Sequence, residues 1–166
     1  KIFRLTSGGK LIEGIFKGET INTPSMLCVE DYIDALEWAG SIGGLDALVT
    51  RADANAAVIA DWVGRNTAVD FLAQDPAIRS NTSVCLRFVD PAIASLDEAG
   101  QQAFVKSLTS LLETEKVAYD IASYRDAPPG LRIWCGATVE TSDLRALTPW
   151  LDWAFAAAKS SLKTAA

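Results

Sequence analysis

The sequence predicts an α/β fold: a small open sheet of three to four strands with helices packed on it, preceded by two long helices. Three observations predict it. Apolar residues recur at helical spacing in two long runs before residue 66. Beyond that, short alternating strands interleave with helices. Finally, 49% of the 166 residues are apolar, at a mean hydropathy of +0.17, which suffices for a real core.

The segment Lys1 to Ile21 carries Gly8, Gly9, Gly14 and Gly18 among short apolar pieces and reads as loop with brief extended structure. Its cations Arg4, Lys10 and Lys17 suit either solvated charges or an anion site. Asn22, Thr23, Pro24 and Ser25 have the composition of a helix start. The same amide, hydroxyl and free N–H groups suit a phosphate, although capping alone accounts for such residues in most helices. In the helix that follows, Met26, Leu27, Val29, Ile33, Leu36 and Trp38 form a broad apolar side, ending at Gly40 or at Gly43 and Gly44. From Leu45 to Gly64 a second long helix reads as a connector.

Val69 to Leu72 is a short strand, Ala73 to Ile78 a turn, and Ser83 to Val89 a half-buried strand closed by Asp90 and Pro91. Ser95 to Lys116 is helical, Val117 to Ile121 the next strand, and Leu131 to Gly136 another. Thr141 opens a last helix with Leu144, Leu147, Leu151, Trp153 and Phe155 directed inward and a fraying tail from Ala156. The five tryptophans fall mostly at core-facing positions.

Net charge of -6 and a pI near 4.6 argue against nucleic-acid binding, which needs a basic stripe. No apolar run approaches a membrane span and the first residues lack the features of a signal peptide, so a cytoplasmic location is expected. Cys28, Cys85 and Cys135 are too few and too far apart for a disulfide set or zinc site, and are expected to be buried thiols. With no histidine, every serine–histidine triad is excluded, and no pair of carboxylates stands out as an acid/base couple.

The stretch that carries chemistry runs from Ser123 to Gly136, where Arg125 and Arg132 flank Pro128, Pro129 and Gly130. Arg132 alternates with Leu131 and Ile133, so its guanidinium leaves the sheet on the face opposite them. Two fixed guanidinium groups suit a doubly anionic ligand, each able to grip a carboxylate or phosphate with two hydrogen bonds. A surface ion pair is the commoner use of an arginine near a strand end.

The order of these motifs, from Glu19 to Ser25 through Trp38, Gly43 to Leu45, Tyr124 with Arg125 and Leu131 with Arg132, resembles phosphoserine aminotransferase, a class V, fold-type I enzyme family using pyridoxal phosphate. Val139 to Asp143 and Leu151 to Trp153 resemble that family's final helix. The resemblance implies that residues 1–43 are a remnant of the large cofactor-binding domain, 44–66 a connecting helix and 67–166 the small domain. It implies that Asn22 and Thr23 contact the phosphate of the partner subunit's cofactor across a homodimer interface. Arg132 would take the substrate α-carboxylate and Arg125 its phosphate or side-chain carboxylate. Tyr124 stands where other branches carry histidine. The lysine that forms the Schiff base, the aspartate that pairs with the pyridine nitrogen and the aromatic residue stacked on the ring would lie upstream of Lys1. No catalytic residue and no metal ligand is therefore expected in this chain.

The activity so implied is transfer of an amino group between glutamate and 3-phosphohydroxypyruvate, giving phosphoserine and 2-oxoglutarate for serine biosynthesis, with pyridoxine biosynthesis a further possible use. The alternatives are another aminotransferase of the same class and a non-catalytic α/β module that binds an anionic metabolite.

Overall fold

The computed structural model describes residues 5–20 and 23–164, which fall in two compact units, Lys1–Ile42 and Gly43–Ala166. In the first unit, strands β1 (Thr6–Ser7) and β2 (Lys10–Leu11) form a two-stranded antiparallel ribbon, and a 3₁₀ turn spans Glu13–Lys17. Helix α1 (Met26–Ser41) is capped by Ser25, whose hydroxyl accepts from the Cys28 N–H at 3.5 Å. The cap thus falls three residues beyond the start of the polar run. No residue of α1 is buried, and its expected apolar side, Met26, Leu27, Val29, Ile33, Leu36 and Trp38, is exposed.

The second unit holds α2 (Gly44–Arg65), β3 (Val69–Phe71), a 3₁₀ turn (Pro76–Ile78), β4 (Ser83–Phe88), α3 (Pro91–Ala94), α4 (Glu98–Thr114), β5 (Leu131–Trp134) and α5 (Thr141–Thr164). The strands form one antiparallel sheet in the order β3-β4-β5. Its register places Val69 opposite Phe88, Phe71 opposite Leu86, Val84 opposite Ile133 and Leu86 opposite Leu131. Those residues line one face and meet Ile59 and Trp62 of α2, Phe104 and Leu108 of α4, and Leu151 and Ala154 of α5 in a single core. Fully burying each large side chain of this set contributes about 1.5–3 kcal/mol. Phe88, Phe104 and Phe155 close one side of it, with ring centroids 5.1 to 5.7 Å apart. The other face carries Asp70 opposite Arg87, Cys85 opposite Arg132 and Ser83 opposite Trp134.

Two of the expected secondary-structure assignments give way here. Val117 to Ile121 is a double-turn connection rather than a strand. Lys116 takes a left-handed φ of 58°, its N–H donates to the Glu113 carbonyl at 3.0 Å, and the Val117 N–H donates to that of Leu112 at 2.9 Å. This is the hydrogen-bond pattern that stops a helix with a residue in the left-handed conformation, here a lysine in place of the usual glycine. Asp120, at φ 53°, then turns the chain again. The sheet has three strands in consequence, within the expected range. The last helix also does not fray at Ala156. It continues to Thr164 because Ala154 and Ala158 are buried, and Lys159 reaches Asp90 at 2.5 Å.

Trp62 is the one buried tryptophan, its indole N–H donating to Asp152 at 2.9 Å, whereas Trp38, Trp134, Trp150 and Trp153 are exposed. Of the three free thiols only Cys135 is buried. Burial pushes it up to about 11, so it is protonated and inert at neutral pH.

Candidate functional site

The polar face of the sheet leads to the site through β5. Gly130 stands at its entrance, where a Cβ would overlap the Leu86 carbonyl oxygen, so only glycine lets the chain pass this close to β4. Residues 121–132 form an arch whose feet are tied together. The Ser123 N–H donates to the Gly130 carbonyl at 3.0 Å, and the Arg132 N–H to that of Ile121 at 2.7 Å. At the crown, the Ala127 N–H donates to the Tyr124 carbonyl at 3.0 Å just before Pro128 and Pro129.

Arg132 leaves the sheet as its alternation predicts, between buried Leu131 and Ile133 but on the opposite face. Its side chain is only 19% exposed. The Tyr124 ring covers the guanidinium, with Cζ 4.2 Å from the ring centroid. Nη2 donates to the Asp120 carbonyl at 3.4 Å and to its carboxylate Oδ2 at 3.3 Å. Nε is buried and has no acceptor among the described residues. A buried donor left in that state costs about 1–3 kcal/mol. The group is therefore held in place, and one of its N–H donors has no bond to an acceptor.

Arg125 lies at the arch tip, almost fully exposed, 3.6 Å from the equally exposed Asp126. Such a pair is worth little in water. A cavity of about 290 Å³ between α4 and the arch is lined by Lys106, Thr109, Ser123, Tyr124 and Arg125 among others. Tyr124 thus stacks on Arg132 and also borders the hollow that holds Arg125. Thr23 is exposed ahead of the Ser25 cap, and Asn22 lies outside the described residues.

Lys17 pairs with Glu13 at 3.2 Å, both exposed, and Lys10 is exposed on β2. Among the described residues no cluster of potential metal ligands occurs, and no helix is long and apolar enough to cross a membrane.

Two site residues were not legible in the sequence. Asp120 was assigned to a strand, though aspartate's tolerance of positive φ was a usable signal. Lys106 sits on the exposed side of α4 and has no local signature.

No family model matches the chain. Phosphoserine aminotransferases of Methanosarcina mazei and Methanosarcina barkeri are each 54% identical to it over 155 residues, 93% of this chain and 39% of theirs. The chain spans about two-fifths of the length of these relatives. Among solved structures, a phosphoserine aminotransferase from Bacillus circulans subsp. alkalophilus superposes with a TM-score of 0.70 at 17% identity, over 86% of this chain and 36% of that one. The fold is shared at an identity too low to carry more than the fold. In sequence and in fold, the chain is related over nearly its whole length to the carboxyl-terminal part of the phosphoserine aminotransferases.

Proposed function

We propose that this chain supplies the substrate-anchoring part of a pyridoxal-phosphate-dependent phosphoserine aminotransferase, a cytoplasmic homodimer of serine biosynthesis. In this reading residues 1–43 belong to the large domain, 44–66 connect and 67–166 form the small domain. The observation that carries it is Arg132, a guanidinium clamped beneath Tyr124 with a buried Nε–H that has no acceptor. A carboxylate can take two parallel hydrogen bonds from one guanidinium edge, the arrangement an α-carboxylate needs.

The substrates of the proposed reaction, glutamate, 2-oxoglutarate, phosphoserine and 3-phosphohydroxypyruvate, each carry two anionic groups. Arg132 would hold the α-carboxylate that all four share. Arg125, on the exposed arch, would hold the second group, and its freedom of motion suits a position that alternates between carboxylate and phosphate. Asn22 and Thr23 would contact the cofactor phosphate of the partner subunit. The exposed position of Thr23 fits that role, because capping of α1 falls to Ser25. The cofactor, when bound, supplies the electron sink for breaking the Cα–H bond. This chain's residues fix the substrate's orientation, which converts binding energy into correct approach. None of its lysines is assigned a covalent role.

The experiment is glutamate formation from phosphoserine and 2-oxoglutarate by the full-length polypeptide, with and without added pyridoxal phosphate. Arg132→Ala is expected to cost every amino-acid substrate about 1.5–3 kcal/mol of transition-state stabilisation, the scale of a lost charged hydrogen bond. Arg125→Ala is expected to impair phosphoserine far more than an alanine-like substrate. Equal losses on all substrates refute this division of labour.

A further inference from the structure

The residue that faces Arg132 most directly belongs to neither the sheet nor the arch crown. Asp120 sits at the turn before the arch in a left-handed conformation, φ 53°, that brings its carboxylate Oδ2 to 3.3 Å from Arg132 Nη2. The two partners are unequal in exposure: the arginine side chain is 19% exposed and the aspartate 92%. The cation is fixed by its strand and by Tyr124, while the anion is solvated and free to leave. Asp120 also contributes its main-chain carbonyl, 3.4 Å from the same nitrogen, and that contact does not depend on the carboxylate.

We propose that the Asp120 carboxylate is an internal competitor for Arg132, occupying the nitrogen that a ligand carboxylate takes and being displaced when the ligand binds. The proposal rests on the reading of Arg132 as a carboxylate anchor. Its chemistry is an exchange of one carboxylate for another on a single guanidinium. In the empty site the cation stays neutralised at little cost, since an exposed aspartate is nearly fully hydrated in either position. A bound ligand must overcome that contact, so Asp120 lowers affinity and favours release of both substrate and product. Ligands able to engage two guanidinium nitrogens at once displace it most readily, which discriminates against singly bonding anions.

The test is calorimetric titration of the full-length, cofactor-loaded protein with glutarate, a dicarboxylate that has no amino or keto group to react. Asp120→Asn keeps the main-chain carbonyl and tolerates positive φ. It is expected to bind glutarate about two- to fivefold more tightly, the range of an exposed ion pair, with the gain shrinking as salt is raised. Asp120→Gly, which also accepts the turn, must move affinity in the same direction.

Unchanged or weaker binding in both variants overturns the proposal. Arg132→Ala separates the two ideas. If it loses affinity while the Asp120 variants gain none, the anchor stands and the competitor fails. If it binds glutarate as tightly as the unaltered protein, the anchor fails and the competitor with it.

Discussion

The Thr148 hydroxyl donates to the main-chain carbonyl of Arg145 at 3.2 Å, the carbonyl that the missing N–H of Pro149 would have bonded within α5. A proline in a helix interior costs about 3 kcal/mol relative to alanine, partly through that lost bond. The hydroxyl, buried at 4% exposure, restores one partner. Thr148→Val keeps the shape and removes the donor. We expect a loss of about 1–2 kcal/mol in urea unfolding with the slope unchanged, and Thr148→Ser to recover most of it.

Gly130→Ala forces a methyl group onto the Leu86 carbonyl oxygen at the point where β5 joins β4. The expected cost is about 1–3 kcal/mol, the usual range for overpacking. Because β5 carries Arg132, binding of a carboxylate ligand should weaken together with stability. A variant with unchanged thermal midpoint and unchanged affinity would show that the arch does not need this close approach.

Lys159 and Asp90 form a partly buried ion pair at 2.5 Å. The hydrogen bond from Lys159, together with N–H groups at the start of α3, holds the Asp90 carboxyl below its ordinary value of 3.8 despite its burial. A depressed carboxylate contributes stability above its unfolded pKa and loses it as pH falls through the folded value. Stability should therefore decline below about pH 4. Asp90→Asn, which retains the cap that accepts from Ala92, should flatten that decline in acid-unfolding curves. An identical pH profile in the variant would remove Asp90 from the account.

Tyr124 holds Arg132 through its ring face, at 4.2 Å, rather than through its hydroxyl. Tyr124→Phe should accordingly leave carboxylate affinity unchanged. Tyr124→Ala should weaken it about two- to fivefold, the scale of an exposed cation–π contact. Loss of affinity in both variants would assign the role to the hydroxyl instead.

Where a single local rule decides, the sequence is readable. The alternation of Leu131, Arg132 and Ile133 puts the guanidinium on the face it occupies, since period two permits only one assignment once the apolar pair faces the core. The long apolar spacing from Leu45 to Gly64 likewise matches α2 within a residue at each end. Where tertiary packing decides, it is not. The run from Ala156 reads as a helix tail because most of its residues are small, yet a small residue such as the buried Ala158 lets the last turns of α5 lie against the core. Trp153 reads as core by hydrophobicity and instead packs edge-to-face on Trp150 at the surface, 5.4 Å away. Asp120 was lost in an apparent strand, Val117 to Ile121, because two left-handed residues leave no trace in an apolar pattern. Arg125 and Arg132 stand out in the sequence as two guanidinium groups flanking one turn, and Asn22 and Thr23 as a polar helix start, whereas Asp120 and Lys106 join the neighbourhood of the arginines only through folding.

The pairing of Cys85 with Arg132 makes assembly of the sheet its own quality control. If β5 slipped by a single residue against β4, Leu131 and Ile133 would turn to solvent and the Arg132 guanidinium would be driven among Phe104, Leu108 and Leu151. That charge has no counterion in the core, and a misthreaded chain would be penalised by the very residue it had misplaced. Closing the sheet in register and turning Arg132 outward are thus one and the same step.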